Sequence, residues 1–208
     1  MGKRNINRHA VRRRVKGAKD DAPPLIVIIV SRYNWSITGK LLEGARRAYH
    51  EYLPGFEPVV IEAPGAFEIP VLCEAAATNA NVIGIVALGC IIQGETIHDR
   101  VLADAVTPAL LQIGINTGVV VTLGILTVDS MAQAEARAGG AHGNKGEEAM
   151  HAAFQTLFGL SAAIDGKSFS LEKKSPDKGS GDRPDGDGGG RKRRGGGPTR
   201  RSGDGDAE

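Results

Sequence analysis

Four short apolar runs alternate with segments of helical spacing, and this alternation constrains the fold more than any other feature. The runs are LIVIIV (25–30), PVVIEA (58–63), VIGIVALG (82–89) and VVVTLGIL (119–126). LIVIIV is β-branched and apolar on both faces, as strands are when helices cover both sides of a parallel sheet. Residues 36–53 place Ile37, Leu41, Leu42, Ala45, Ala48, Tyr49 and Tyr52 at helical spacing and stop at Pro54-Gly55. Residues 67–80, 95–118, 130–138 and 147–160 read as further helices, with a Gly-rich break at 139–146. Strict alternation with helical crossovers forces a parallel sheet. The predicted fold is α/β: a flavodoxin-like three-layer sandwich, with a four-stranded parallel sheet and helices on both faces. In such sheets ligands bind beyond the carboxyl ends of the strands.

The alternation occupies the middle of the chain, and charge marks the ends off. Residues 1–19 hold eight Lys or Arg and no acid. Residues 20–160 hold fifteen acidic and seven basic residues, a net of −8. From about Asp165 the chain is mostly Gly, Asp, Lys, Arg and Ser, which cannot bury enough apolar area to offset the entropy of ordering. The expected organisation is a basic disordered arm over 1–22, one domain over 23–162 and a disordered Gly-rich tail over 163–208. Two cysteines, Cys73 and Cys90, suggest no disulfide framework, so a reduced, cytoplasmic protein is expected. No apolar run approaches the roughly 18 residues of a membrane span, and no secretory leader is evident near the start.

The four strand ends open onto residues that carry chemistry. The first empties into Ser31-Arg32-Tyr33-Asn34-Trp35, the second into Glu62-Ala63-Pro64-Gly65-Ala66-Phe67-Glu68. The third empties into Gly89-Cys90-Ile91-Ile92-Gln93-Gly94-Glu95-Thr96-Ile97-His98, the fourth into Thr127-Val128-Asp129. Three of the nine aromatics lie at this one edge, which points to a flat, polar small molecule. Gly94-Glu95-Thr96 opens a helix, where free N–H groups and the dipole attract anions; ordinary capping is the plain alternative. His98 is a candidate for proton transfer, to which imidazole side chains are suited, or is a surface histidine. Thr96 and His98 do not share a helical face, so both reach a ligand only if the turn is irregular. Tyr33 and Trp35 can stack on a ring or pack on the next helix. Arg137 and Lys145 flank the Gly-rich break and suit a phosphate, or pair at a helix end. No CxxC, HExxH, Walker A or GxGxxG pattern is present, so no metal or nucleotide cofactor is expected.

Four runs occur in order: SRYN-x5-KLLEGA, APGAFEIP, LGC-I-IQGET-x-H and GILT-x9-RAGG-x2-GNKG. Together they resemble the lumazine synthase family, over about residues 25–160. The resemblance implies condensation of 5-amino-6-(D-ribitylamino)uracil with 3,4-dihydroxy-2-butanone 4-phosphate to 6,7-dimethyl-8-ribityllumazine, a step of riboflavin biosynthesis. It implies no cofactor. It assigns pyrimidine stacking to Tyr33 with Asn34 beside it. Ala66, Phe67 and Glu68 would hold the ribityl chain, and Cys90, Ile91 and Ile92 would read the pyrimidine edge by backbone. Gly94, Glu95 and Thr96 would cradle phosphate, with His98 for proton transfer. Arg137 would bind phosphate, while Lys145 and Leu123 would line the site. Arg137 and Lys145 would reach a neighbouring subunit's site, so at least a pentamer is implied, and the short GGAHGNKG favours a 60-subunit shell. The sequence departs from the family's habits at Cys90, Gln93, Leu123, Asp99-Arg100 and Trp35. Two other classes compete. A response-regulator-like domain would need acids after the first and third strands, which SRYN and GCIIQGE do not supply. A non-catalytic shell, flavin-binding or nucleic-acid-binding protein would use the arm from Lys3 to Lys19, which reads more simply as a solubilising tail.

Overall fold

The structure, a computed structural model, describes residues 24–171. The arm expected over 1–22 lies outside the described residues, as does the tail from 172 onward.

The strands are β1 (Leu25–Ser31), β2 (Val59–Ala63), β3 (Val82–Ile92) and β4 (Val120–Val128). The helices are α1 (Trp35–Tyr52), α2 (Ile69–Ala77), α3 (His98–Thr117), α4 (Met131–Arg137) and α5 (Lys145–Ile164). The Gly-rich break forms a small antiparallel ribbon, β5 (Ala138–Gly140) with β6 (Gly143–Asn144). All main-sheet pairings are parallel and the strand order is β2-β1-β3-β4. The flavodoxin-like α/β expectation holds. Several boundaries move by a few residues, and two of these shifts bear on the site. The third strand runs to Ile92, not 89, because Cys90, Ile91 and Ile92 continue to pair with Leu126, Thr127 and Val128. The long helix begins at His98, not 95, so Gly94 to Ile97 stay outside it.

Each sheet face carries its own core. Ile26, Ile28, Val30, Val86 and Leu88 pack with Ile37, Leu41, Met150 and Phe154 of α1 and α5. Val27, Ile29, Ile85 and Ala87 pack with Ile69, Cys73, Val106 and Leu110 of α2 and α3. The two-sided apolar strands are thus buried on both faces, as their sequence demands.

Helices α1 and α5 approach at small residues. A Cβ on Gly146 would lie 2.0 Å from the Leu41 carbonyl oxygen, and one on Gly44 2.3 Å from the Asn144 side chain. Buried Asn144 ties the three segments together. Its Oδ1 accepts from Gly146 N at 2.9 Å and Glu147 N at 3.2 Å, capping α5. Its Nδ2 donates to the Lys40 carbonyl at 2.8 Å. This fixes where the ribbon, and with it Arg137 and Lys145, leaves the sheet.

Candidate active site

The site arises from strands of unequal reach. Pairing of β1 with β3 ends at Val30 with Leu88, whereas β3 with β4 continues to Ile92 with Val128. The last rungs of β3 therefore lack a neighbour on the β1 side. Strand order reverses direction at this same point, between β1 and β3, where open α/β sheets leave a crevice. Gln93 N donates to the Val128 carbonyl at 2.9 Å, so its amide faces β4. Backbone alternation then turns the N–H and C=O of Ile92 toward the crevice.

A cavity of about 360 Å³ fills this crevice. Eight expected residues line it. Tyr33 and Asn34 come from the β1 loop, and Cys90, Ile91 and Ile92 from the end of β3. Gly94, Thr96 and His98 come from the turn into α3. The turn is irregular, as joint access of Thr96 and His98 requires: Thr96 Oγ1 accepts from His98 N at 3.4 Å and the helix starts only there. The first N–H groups of α3 have no intrahelical partner and face an anion-friendly end. A Cβ on Gly94 meets no atom within 4 Å, so a ligand has room beside that backbone.

Of the two neighbouring aromatics, only Tyr33 belongs to the cavity. Tyr33 is 70% exposed. Trp35 is occupied elsewhere, with the Arg32 guanidinium 4.2 Å from its ring centroid and Arg32 Nη1 3.4 Å from Glu62. Burial pushes the Cys90 thiol up to about 11 and the Cys73 thiol to about 12, so both stay protonated near neutrality. Neither is an activated nucleophile.

Seven expected residues do not line the cavity. Glu95 lies on the same turn with its side chain exposed. Ala66, Phe67 and Glu68 sit on the β2–α2 turn, tied to the β1 loop through Tyr33 N donating to the Pro64 carbonyl at 3.1 Å. Leu123 pairs with Ala87, three residues before Leu126, and so lies about 10 Å down the strand. Arg137 ends α4, its Nη1 donating to the Gln133 carbonyl at 3.1 Å. Lys145 starts α5 and pairs with Glu148 at 2.5 Å. Two further lining residues, Gln93 and Asp99, belong to the polar stretch after the third strand and depart from the family's habits. Their place in the stretch LGCIIQGETIHD was the available signal. Away from the cavity, donor atoms of Glu51, Glu147 and His151 lie within 4.8 Å of one another, and Glu147 there pairs with Arg47 at 3.3 Å.

Residues 24–160 match the model of the 6,7-dimethyl-8-ribityllumazine synthase family. The chain belongs to that family. It is 43% identical over 132 residues to a 6,7-dimethyl-8-ribityllumazine synthase of Xanthomonas campestris pv. campestris (strain B100), covering 63% of this chain and 86% of the relative. It is 41% identical over 133 residues to the protein of that name from Gemmatimonas aurantiaca, covering 64% and 81%. The Xylella fastidiosa protein of that name is 39% identical over 132 residues, covering 63% and 86%. The lumazine synthase match spans all four strands and α1 to α4. It stops short of residues 161–171, where the end of α5 lies. Among the described residues no helix is long and apolar enough to cross a membrane.

Proposed function

We propose that this chain catalyses the condensation of 5-amino-6-(D-ribitylamino)uracil with 3,4-dihydroxy-2-butanone 4-phosphate to 6,7-dimethyl-8-ribityllumazine, releasing phosphate and water, in the cytoplasm. One observation carries this reading beyond family membership. The cavity sets an aromatic face, a backbone edge, an open helix start and a histidine around one space of about 360 Å³. A flat pyrimidine needs the first two and a phosphate ester the third. The reaction is redox-neutral, and the substrates supply both carbon skeletons and the leaving group, so no cofactor is required. The work is assigned to residues 23–162, not to the basic start or Gly-rich end.

Tyr33 stacks on the pyrimidine while the backbone from Cys90 to Ile92 reads its edge. Ala66, Phe67 and Glu68 hold the ribityl chain. Gly94, Glu95 and Thr96 receive the phosphate at the start of α3. The amine of the pyrimidine attacks the ketone, an imine forms, phosphate leaves and the ring closes. His98 carries the proton between these steps. The test is direct: purified protein and both substrates, followed by lumazine fluorescence and phosphate release. No product above the uncatalysed rate would refute the activity.

Arg137, Lys145 and Leu123 enter this scheme from an adjacent subunit. The surface of α3 supports self-association. Val106, Leu110 and Ile113 bury one face of that helix, while exposed Val101, Leu111 and Ile115 lie on the opposite face, with exposed Ile97 just before the first turn. The assembly proposed is a pentamer, and a 60-subunit shell built from pentamers.

Asp99 places a carboxylate in the same cavity as the helix start. It competes with an incoming phosphate for the same positive end. Asp99→Asn is expected to lower the KM for the phosphate substrate about 3- to 10-fold, most clearly at low salt. Steady-state kinetics at two ionic strengths checks this. An unchanged KM at low salt contradicts it.

A further inference from the structure

We infer that Asn34 is a positioning residue, which replaces a missing rung between β1 and β3 with its side chain and thereby sets Tyr33 over the pyrimidine edge. The inference rests on the pocket reading above and gives Asn34 a job other than direct contact with substrate.

The missing rung follows from the register. Strand β1 stops pairing with β3 at Val30, opposite Leu88. The next carbonyl of β3 that faces β1 is that of Cys90, two residues on. No backbone N–H of β1 reaches it, because β1 ends at Ser31 and the next amides, of Arg32 and Tyr33, donate to the Ala63 and Pro64 carbonyls. Asn34 Nδ2 donates to it instead, at 3.0 Å across 56 residues of sequence. The side chain thus continues the ladder where the main chain has left it, and closes one flank of the crevice.

Reaching that carbonyl demands an unusual backbone. Asn34 has φ 58° and ψ 44°, and it is the only non-glycine with positive φ among the described residues. Asparagine tolerates this left-handed region better than most side chains. The turn is then locked from behind. The Asn34 carbonyl accepts from Ile37 N at 2.9 Å and Thr38 N at 3.0 Å. Buried Thr38 donates its hydroxyl to the Ser31 carbonyl at 2.7 Å, clasping both ends of the loop.

Tyr33 gains its position from this arrangement. Its ring is largely exposed, so few side-chain contacts hold it. Its backbone is held between the Pro64 carbonyl, which accepts its N–H at 3.1 Å, and the Asn34 tether that follows. Loosening Asn34 lets the ring drift from the Cys90 to Ile92 edge. Binding of a flat ring between them depends on that separation, and the phosphate end does not.

The test compares Asn34→Gly, which keeps the left-handed turn and deletes the amide, with Asn34→Asp, which keeps the shape but sets a carboxylate oxygen against the carbonyl. Asn34→Gly is expected to raise the KM for the pyrimidine substrate about 10-fold, the order of one lost hydrogen bond. Turnover and the KM for the phosphate substrate should stay within about 2-fold. Asn34→Asp should raise the pyrimidine KM further. A wild-type pyrimidine KM in Asn34→Gly overturns the inference, and so does a fall in turnover with that KM unchanged. Hydrogen exchange supplies a readout independent of activity. Faster exchange in Asn34→Gly confined to residues 31–34 and 88–93 supports the tether, and unchanged exchange there overturns it. An inactive wild type would refute the pocket reading alone, leaving the exchange experiment to decide the tether.

Discussion

Gly146→Ala is expected to leave little folded protein. The added methyl would sit 2.0 Å from the Leu41 carbonyl oxygen, 2.6 Å from its carbon and 2.9 Å from its Cα. All three are backbone atoms, so no side-chain rotation relieves the clash. Helix α5 would have to lift from α1, and the buried contacts among Leu41, Ala45, Met150 and Phe154 would open with it. The same movement would strain the Asn144 bonds to Gly146 N and the Lys40 carbonyl. Overpacking of a side-chain core costs roughly 1–3 kcal/mol, and a backbone clash exceeds that. Against a total stability of about 5–15 kcal/mol, the loss is large. Soluble yield and thermal denaturation measure it. Gly94→Ala is the control: its methyl meets open space, so its melting temperature should match the wild type while its KM for the phosphate substrate rises. A wild-type melting temperature for Gly146→Ala would mean the α1–α5 contact is looser than described.

The second large effect tests whether the site is shared. His98→Ala should lower kcat about 100-fold with little change in either KM, since proton transfer acts in the transition state. Arg137→Ala should lower kcat/KM for the phosphate substrate by about 100-fold, as charge-assisted contacts to phosphate are strong and directional. His98 lines the cavity of its own chain and Arg137 does not. Co-expressing the two variants should therefore restore activity. Random mixing in a closed ring recreates about a quarter of intact sites, each with His98 from one subunit and Arg137 from its neighbour. No recovery in mixed assemblies would place Arg137 in its own chain's site or outside the chemistry altogether.

Much of the site was legible because ligand edges in parallel sheets follow from strand direction alone. Tyr33, Gly94, Thr96 and His98 fall after strand ends and Cys90 to Ile92 form the last rungs of β3, and the structure gathers them round one cavity. Gln93 and Asp99 are harder to place from sequence, since their types suit solvent as well as a cavity. Residue types alone leave the choice between Tyr33 and Trp35 open, and only the family resemblance points to Tyr33. The choice depends on Arg32 and Glu62, which hold the tryptophan away, and Glu62 lies on another strand. The bond from Asn34 to Cys90 was likewise invisible, because it joins residues 56 apart.

By itself the sequence determined the local periods: two-sided apolar runs, helical spacing between them, and hence a parallel sheet with helices on both faces. It also carried the motifs that mark the family. Only the tertiary structure decided the strand order β2-β1-β3-β4, the unequal lengths of the β1–β3 and β3–β4 ladders, and the crevice that results. It also set Arg137 and Lys145 outside their own chain's cavity. The reason is physical. Periodicity is set by neighbours three or four residues away, whereas ladder length and cavity shape are set by pairing and packing between segments distant in sequence.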